Sequence, residues 1–277
     1  MVRRSISIFA ILLYGLLTVP GKARAETTLN RAVVEETRNQ VQLLLQNQSS
    51  RLAQVSDVLV PGDGLSTAND ALAELRFNDG SLGRLGEQVV FWFTPGTRNF
   101  SLSNGTVLLL IPPGQGRTTI QTPNASAGIQ GSALFVRYIE ETDTTVVGAL
   151  TDSDIQVTNT DGSQQYTLAG GEMAVAVGDR ITDIFEFDLQ TFYETSTLAR
   201  DLAPPDGSDR ETTETEVGVE QSSADSSSLD ASEVVDPAIA AVQAEMRTAL
   251  QRQQPISAEN SVETPDFLRM PTESSDP

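Results

Sequence analysis

Four dipeptides constrain the fold of this chain most: Asp79-Gly80, Asn104-Gly105, Asp161-Gly162 and Gly170-Gly171. Such pairs tolerate positive φ, which two-residue hairpin turns require. They punctuate a stretch, about Asn39 to Arg180, that is rich in Val, Ile, Thr and Gly. Counting outward from each turn predicts a register. Asp161-Gly162 sets Val157 opposite Tyr166 and Ile155 opposite Leu168, and Gly170-Gly171 sets Leu168 opposite Met173 and Tyr166 opposite Val175. Together they predict a three-stranded meander with one apolar face. Asn104-Gly105 pairs Leu102 with Val107 and Phe100 with Leu109. Around Asp79-Gly80, Leu82 falls opposite Phe77 but Leu85 is out of phase, which a bulge at Gly83 restores.

Several of these strands are apolar on both faces. Leu108 and Leu110 alternate with Val107 and Leu109, and VVFWF (Val89 to Phe93) and ALFVRYI (Ala133 to Ile139) behave alike. Strands of that kind need cover on two sides, which one flat sheet lacks. The expected fold is therefore all-β: a rolled or two-layer, mostly antiparallel β-sheet.

Composition removes whole classes of chemistry. The 277 residues contain no cysteine and no histidine. Thiolate catalysis, iron–sulfur clusters, disulfides, His-based triads and zinc sites built on Cys or His are all excluded. A metal would need oxygen ligands, hence Ca²⁺ or Mg²⁺. Net charge is −20, so nucleic acid is not an expected partner.

The N-terminus carries Arg3 and Arg4, then an apolar run from Ile6 to Val19, then Ala23-Arg24-Ala25. That order predicts a secretory signal peptide over residues 1–25 and a periplasmic or secreted protein. At roughly 14 residues the run falls short of the ~20 that span a bilayer, so no membrane span is expected after cleavage. At the other end, residues 201–277 hold 17 acids against 4 arginines, a net of −13. Low hydrophobicity and high charge predict a disordered acidic tail. One island interrupts it, a helix at 237–254 with Asp236 as N-cap, Pro237 at its first position and Pro255 as its stop. Its stripe of Ile239, Val242, Met246 and Leu250 suits docking to a partner or pairing with itself, and a helix this short is marginal alone. The domain itself is expected at 26–200, with its core at about 39–180.

Two stretches carry a family resemblance. GDGLSTANDALAELRFNDGSLGRLGE (Gly62 to Glu87) resembles the first half of a FecR domain, with its GD-x-L-x-T and A-x-L-x-F-x-DGS blocks. IQTPNASAGIQGSALFV (Ile120 to Val136) is similar to the second half, and Gly148 to Leu150 and YTLAGGEMAVA match its closing segments. The resemblance covers about Asn39 to Gly178 and implies a β-rich extracytoplasmic domain that works by contact, not catalysis. Its structural motif residues here are Asp79, Gly80, Gly83, Thr122, Pro123, Gly128 and Gly131. The founding members are sigma-factor regulators with a cytoplasmic segment before a transmembrane helix. Only MVRR and a few residues precede the apolar run here, so the expectation carries over the domain alone.

No stretch supplies a reaction centre. PPGQGRTT (Pro112 to Thr119) lacks the lysine and spacing of a phosphate loop and reads as a turn. Ser132 has no histidine base and no nucleophile elbow. Glu140, Glu141, Asp143, Asp152 and Asp154 lack a recognised calcium-loop spacing and read as solvated turn acids. Trp92, amid Val90, Phe91 and Phe93, reads as core. The expectation is a protein that is not an enzyme, has no catalytic, cofactor or metal residue, and binds or scaffolds another envelope protein or polymer. The alternative is a periplasmic component of an envelope-sensing or iron-uptake signalling pathway, acting through a separate membrane partner.

Overall fold

The computed structural model describes residues 27–200, residue 202 and residues 237–253. The segment expected to be a signal peptide, and the tail apart from Leu202 and its helix, lie outside the described residues. Among the described residues, seventeen strands form two layers that share one strand. The central sheet runs, edge to edge, β4 (Val58–Leu59), β1 (Ala32–Arg38), β6 (Leu72–Phe77), β7 (Leu82–Leu85), β9 (Asn99–Leu110), β12 (Ala133–Ile139), β13 (Thr144–Ala149), β16 (Glu172–Val177) and β17 (Arg180–Glu186). The flanking sheet runs β3 (Arg51–Leu52), β2 (Val41–Leu44), β5 (Gly64–Thr67), β8 (Val90–Phe93), β9 again, β10 (Thr118–Gln121), β11 (Ala125–Ile129), β14 (Ile155–Asn159) and β15 (Gln165–Leu168). All these ladders are antiparallel except β9–β10. The expected two-layer, mostly antiparallel all-β fold is what forms.

Inward side chains of both sheets make the first core. Val34, Leu75, Leu109 and Val136 of the central sheet meet Leu43, Leu65, Phe91, Phe100, Ile120 and Val157 of the flanking sheet. Phe100 touches Phe77, Phe91 and Phe93, with ring centroids 5.0–5.7 Å apart. A second core lies on the other face of the central sheet. There Leu82, Leu108, Leu110, Phe135, Val146 and Met173 are covered by α1 (Leu189–Thr195), by Leu198, Ala199 and Leu202, and by α2 (Pro237–Arg252). The two-faced apolar strands of the central sheet are thus explained, with helices supplying the outer cover. VVFWF differs, because β8 lies in the flanking sheet and only one of its faces is covered.

Two of the four glycine dipeptides are not hairpins. Asn104-Gly105 lies inside the continuous 12-residue β9. Residues up to Asn104 pair in the flanking sheet with β8, and residues from Gly105 onward pair in the central sheet with β12. Gly105 has φ +81°, and a Cβ there would sit 2.8 Å from the Glu87 carbonyl. Its positive φ turns the strand from one layer into the other instead of reversing it. Gly170-Gly171 likewise carries the chain from β15 in the flanking sheet to β16 in the central sheet, so the expected meander does not form. Leu168 faces the first core and Met173 the second. The register derived from Asp161-Gly162 holds, with Val157 opposite Tyr166 and Ile155 opposite Leu168.

Asp79-Gly80 does close a hairpin, but one residue out of the expected phase. Leu75 pairs with Gly83 and Arg76 with Leu82, in an unbroken register with no bulge at Gly83. Asn78 joins the turn, and a shift of one residue moves Leu82 to the opposite face. Leu82 finds its cover in the second core, while Leu85 stays in the first.

Candidate functional site

The side chains that carry the sequence motifs are engaged in holding backbone. Asp63 is buried, and its carboxylate accepts from the Gln46 and Val60 amides at 3.0 Å each. Thr67 Oγ1 donates to the Gly86 carbonyl at 2.6 Å and accepts from the Val89 amide at 2.8 Å, which ties β5 to the end of β7. Thr122 and Asn124 bond to Thr145, and Asn124 Nδ2 donates to the Asp143 carbonyl, which pins the β10–β11 hairpin to the start of β13. Pro123 occupies that hairpin, exposed at its tip.

Asp79 has the largest role. Its Oδ1 accepts from the Ser81 amide at 2.9 Å, and its Oδ2 accepts from Arg98 Nη2 at 2.6 Å. Arg98 also donates to Thr118 Oγ1 and to the Thr27 carbonyl. A turn of the central sheet is thereby bonded to the flanking sheet through a buried ion pair. Gly80 beside it has φ +84°.

The glycines named from the motif differ in what surrounds them. A Cβ on Gly131, which has φ +68°, would lie 2.6 Å from Pro113 Cα. One on Gly83 would meet Phe77 and Leu109 at 3.3 and 3.4 Å. Gly128 instead lies beneath the guanidinium of Arg117, whose Nη1 donates to Gln156 Oε1 at 2.8 Å. That neighbour is a movable side-chain end.

The acids considered for a cation do not converge. Glu140 to Asp143 sit where β13 begins, whereas Asp152 and Asp154 follow its end, and β13 is six residues long. A strand of that length separates its ends by roughly 17–20 Å. Asp143 accepts from the Tyr138 hydroxyl at 2.9 Å, and Asp152 pairs with Arg252 at 2.6 Å. Burial, aided by Asp143, pushes the Tyr138 phenol up to about 12. Among the described residues no group of three His, Cys, Asp or Glu side chains is placed to hold a metal. Ser132 is buried against Thr151.

Two surfaces escape the sequence reading. Trp92 is not core: it is 38% exposed on the outer face of the flanking sheet, its ring lying across Gly64. The alternation that buries Phe91 and Phe93 points it outward. Residues 51–60 form a ribbon from β3, an edge of the flanking sheet, to β4, an edge of the central sheet. Leu52, Val55, Val58 and Val60 on this ribbon are 48–61% exposed. The bidentate Arg51–Asp57 pair and the Gln54 amide hold it in shape.

The apolar stripe of α2 has an occupant, and it belongs to the same chain. Ile239, Val242, Met246 and Ala249 are buried against the second core, with Leu250 half-buried beside them. At the helix end, Gln253 accepts from the Leu189 amide at 2.9 Å and donates to the Phe187 carbonyl at 2.6 Å. No described helix is long and apolar enough to cross a membrane.

Comparison with known proteins agrees with the motif residues. No curated protein matches the chain. Two crystal structures of a candidate anti-sigma factor from Parabacteroides distasonis ATCC 8503 are similar to it, both at 14% identity and TM-score 0.41. They overlap 47% and 50% of this chain, and 64% and 67% of theirs. The chain thus spans under two thirds of the first, and a likeness this loose transfers no activity. The family model described as FecR protein matches residues 63–151. That match spans the stretch from the Asp63 tie to the end of the β12–β13 hairpin, and over residues 63–151 the chain is similar to the FecR family.

Proposed function

We propose that this chain is a non-enzymatic binding or scaffolding module of the cell envelope, acting by contact with another envelope protein or polymer. One observation carries the reading. The FecR motif side chains hold the two sheets together, whereas the adjoining ribbon leaves four aliphatic side chains about half exposed. A run of exposed aliphatics on one ribbon, unlike singly scattered ones, is the kind of apolar surface that marks contact sites. Export fits the basic start, the apolar run and the small-residue site at Ala23 to Ala25. A photoreactive residue at Val55 or Val58, installed in cells, should give an adduct in the envelope fraction on a protein that begins at Glu26. The same residue at Val177, exposed at the end of β16 on the other side of the central sheet, should give none. Equal labelling at all three positions, or none anywhere, overturns the reading.

The second reading is a role in envelope signalling through a separate membrane partner, and the FecR match favours it. Identification of the Val55 adduct as a membrane regulator would select it, whereas a glycan or structural protein would select scaffolding.

A further inference from the structure

α2 is seated by two different kinds of contact. Its apolar stripe lies on the second core, and its polar contacts lie in the C-terminal half. Arg252 pairs with Asp152, Gln253 bonds to the backbone of Phe187 and Leu189, and Glu245 Oε2 accepts from Ser153 Oγ at 3.1 Å. The Glu245 contact is the unusual one. Ser153 continues into the fold through Thr151 Oγ1 at 3.3 Å and on to buried Ser132, so a row of three hydroxyls ends on this carboxyl. Among the described residues it makes no ion pair, and Arg252 is committed to Asp152.

We infer that α2 is an acid-tightened clasp: its hold on the central sheet strengthens when Glu245 takes up a proton. A carboxylate in this half-buried place keeps one hydroxyl donor and loses water. Protonated, it can donate to Ser153 Oγ, and the hydroxyl row can turn round with no bond lost. Burial accordingly raises the Glu245 pKa, with Ser153 opposing in part. The other charged groups about the seat have their own partners or stand clear. Asp188 caps the Thr191 amide, Glu172 accepts from the Ala169 amide and Glu194 from Gln190, while Asp154 and Arg247 make no bond to Glu245.

The sign follows from linkage. A carboxyl whose pKa is higher when the helix is seated binds more protons in the seated state, so seating improves as pH falls through that raised pKa. Above it the ionised form weakens the seat. The helix has 16 residues, marginal alone, and 34 residues (203–236) separate it from Leu202. Seating is therefore a step distinct from folding of the sandwich, and one carboxyl weighs heavily in it.

Amide exchange of the full mature chain tests the clasp, with protection corrected for the intrinsic pH dependence of exchange. Between about pH 7.5 and about pH 4.5, from well above the ordinary glutamate range down to it, protection of 239–251 should rise as pH falls, while β12 stays constant. Glu245→Gln should hold α2 at the high, flat level. Ser153→Ala should steepen the slope, since the ionised form loses its one donor. Arg252→Gln should lower protection but keep the slope. A flat wild-type profile, or a slope that survives Glu245→Gln, overturns the inference.

Discussion

Asp79 Oδ2 and Arg98 Nη2 lie 2.6 Å apart with their side chains 0% and 3% exposed, and they join a turn of one sheet to the body of the other. Breaking such a pair from one side strands a buried charge, which costs about 3–5 kcal/mol. Asp79→Ala and Arg98→Met should each lose that much in urea denaturation. The double variant should lose far less than the sum, because it strands neither charge. Additive losses would mean that the two side chains do not act as a pair.

Gly131 and Gly128 should respond differently to valine. At Gly131 the side chain would meet Pro113 backbone at positive φ, so Gly131→Val should cost about 2 kcal/mol or more. Gly128→Val needs only the exposed Arg117 guanidinium to swing away, and should cost under about 1 kcal/mol. Thermal melts of the two variants decide this, and equal losses would place Gly128 under a rigid neighbour.

Removal of α2 should uncover the second core. A chain of residues 26–202 should melt below 26–277 and should bind an apolar-surface dye, since Ile239, Val242 and Met246 each bury about 1.5–3 kcal/mol of transfer energy before ordering costs. Met246→Asp in the full chain should reproduce both effects. Equal melting of the two chains would detach the helix from the fold.

Alkali should report on Tyr138. An unfolded tyrosine ionises at about 10, whereas Tyr138 is pushed up to about 12. Its contribution to stability is fully present below pH 10 and is lost as pH rises toward 12. Urea unfolding across that window should decline less steeply in Tyr138→Phe than in the wild type. Parallel declines would show that Asp143 and burial do not hold the proton.

Local rules reached as far as local pairings. Asp161-Gly162 joins two adjacent strands of one sheet, and its register could be counted from the turn. Gly105 and Gly171 have the same positive φ, yet the chain changes layer there. Nothing within ten residues distinguishes a glycine that reverses a strand from one that redirects it, because the choice is made by which strand lies alongside. Asn78 shows the same limit at a finer scale: one more turn residue sends Leu82 to another core. The start of α2 at Pro237 and its stripe were legible, whereas the N-cap and stop expected at Asp236 and Pro255 lie outside the described residues; a stripe does not say what covers it. Nor does any spacing connect Asp79 with Arg98, which meet only once both sheets are in place.

β9 belongs to both sheets, so one continuous strand joins their ladders directly. Neither layer can slide past the other without tearing hydrogen bonds along that strand, and a slip in one ladder is transmitted through Gly105 to the next. A domain stitched in this way resists shear as one body, so a surface on either sheet keeps its orientation relative to the other.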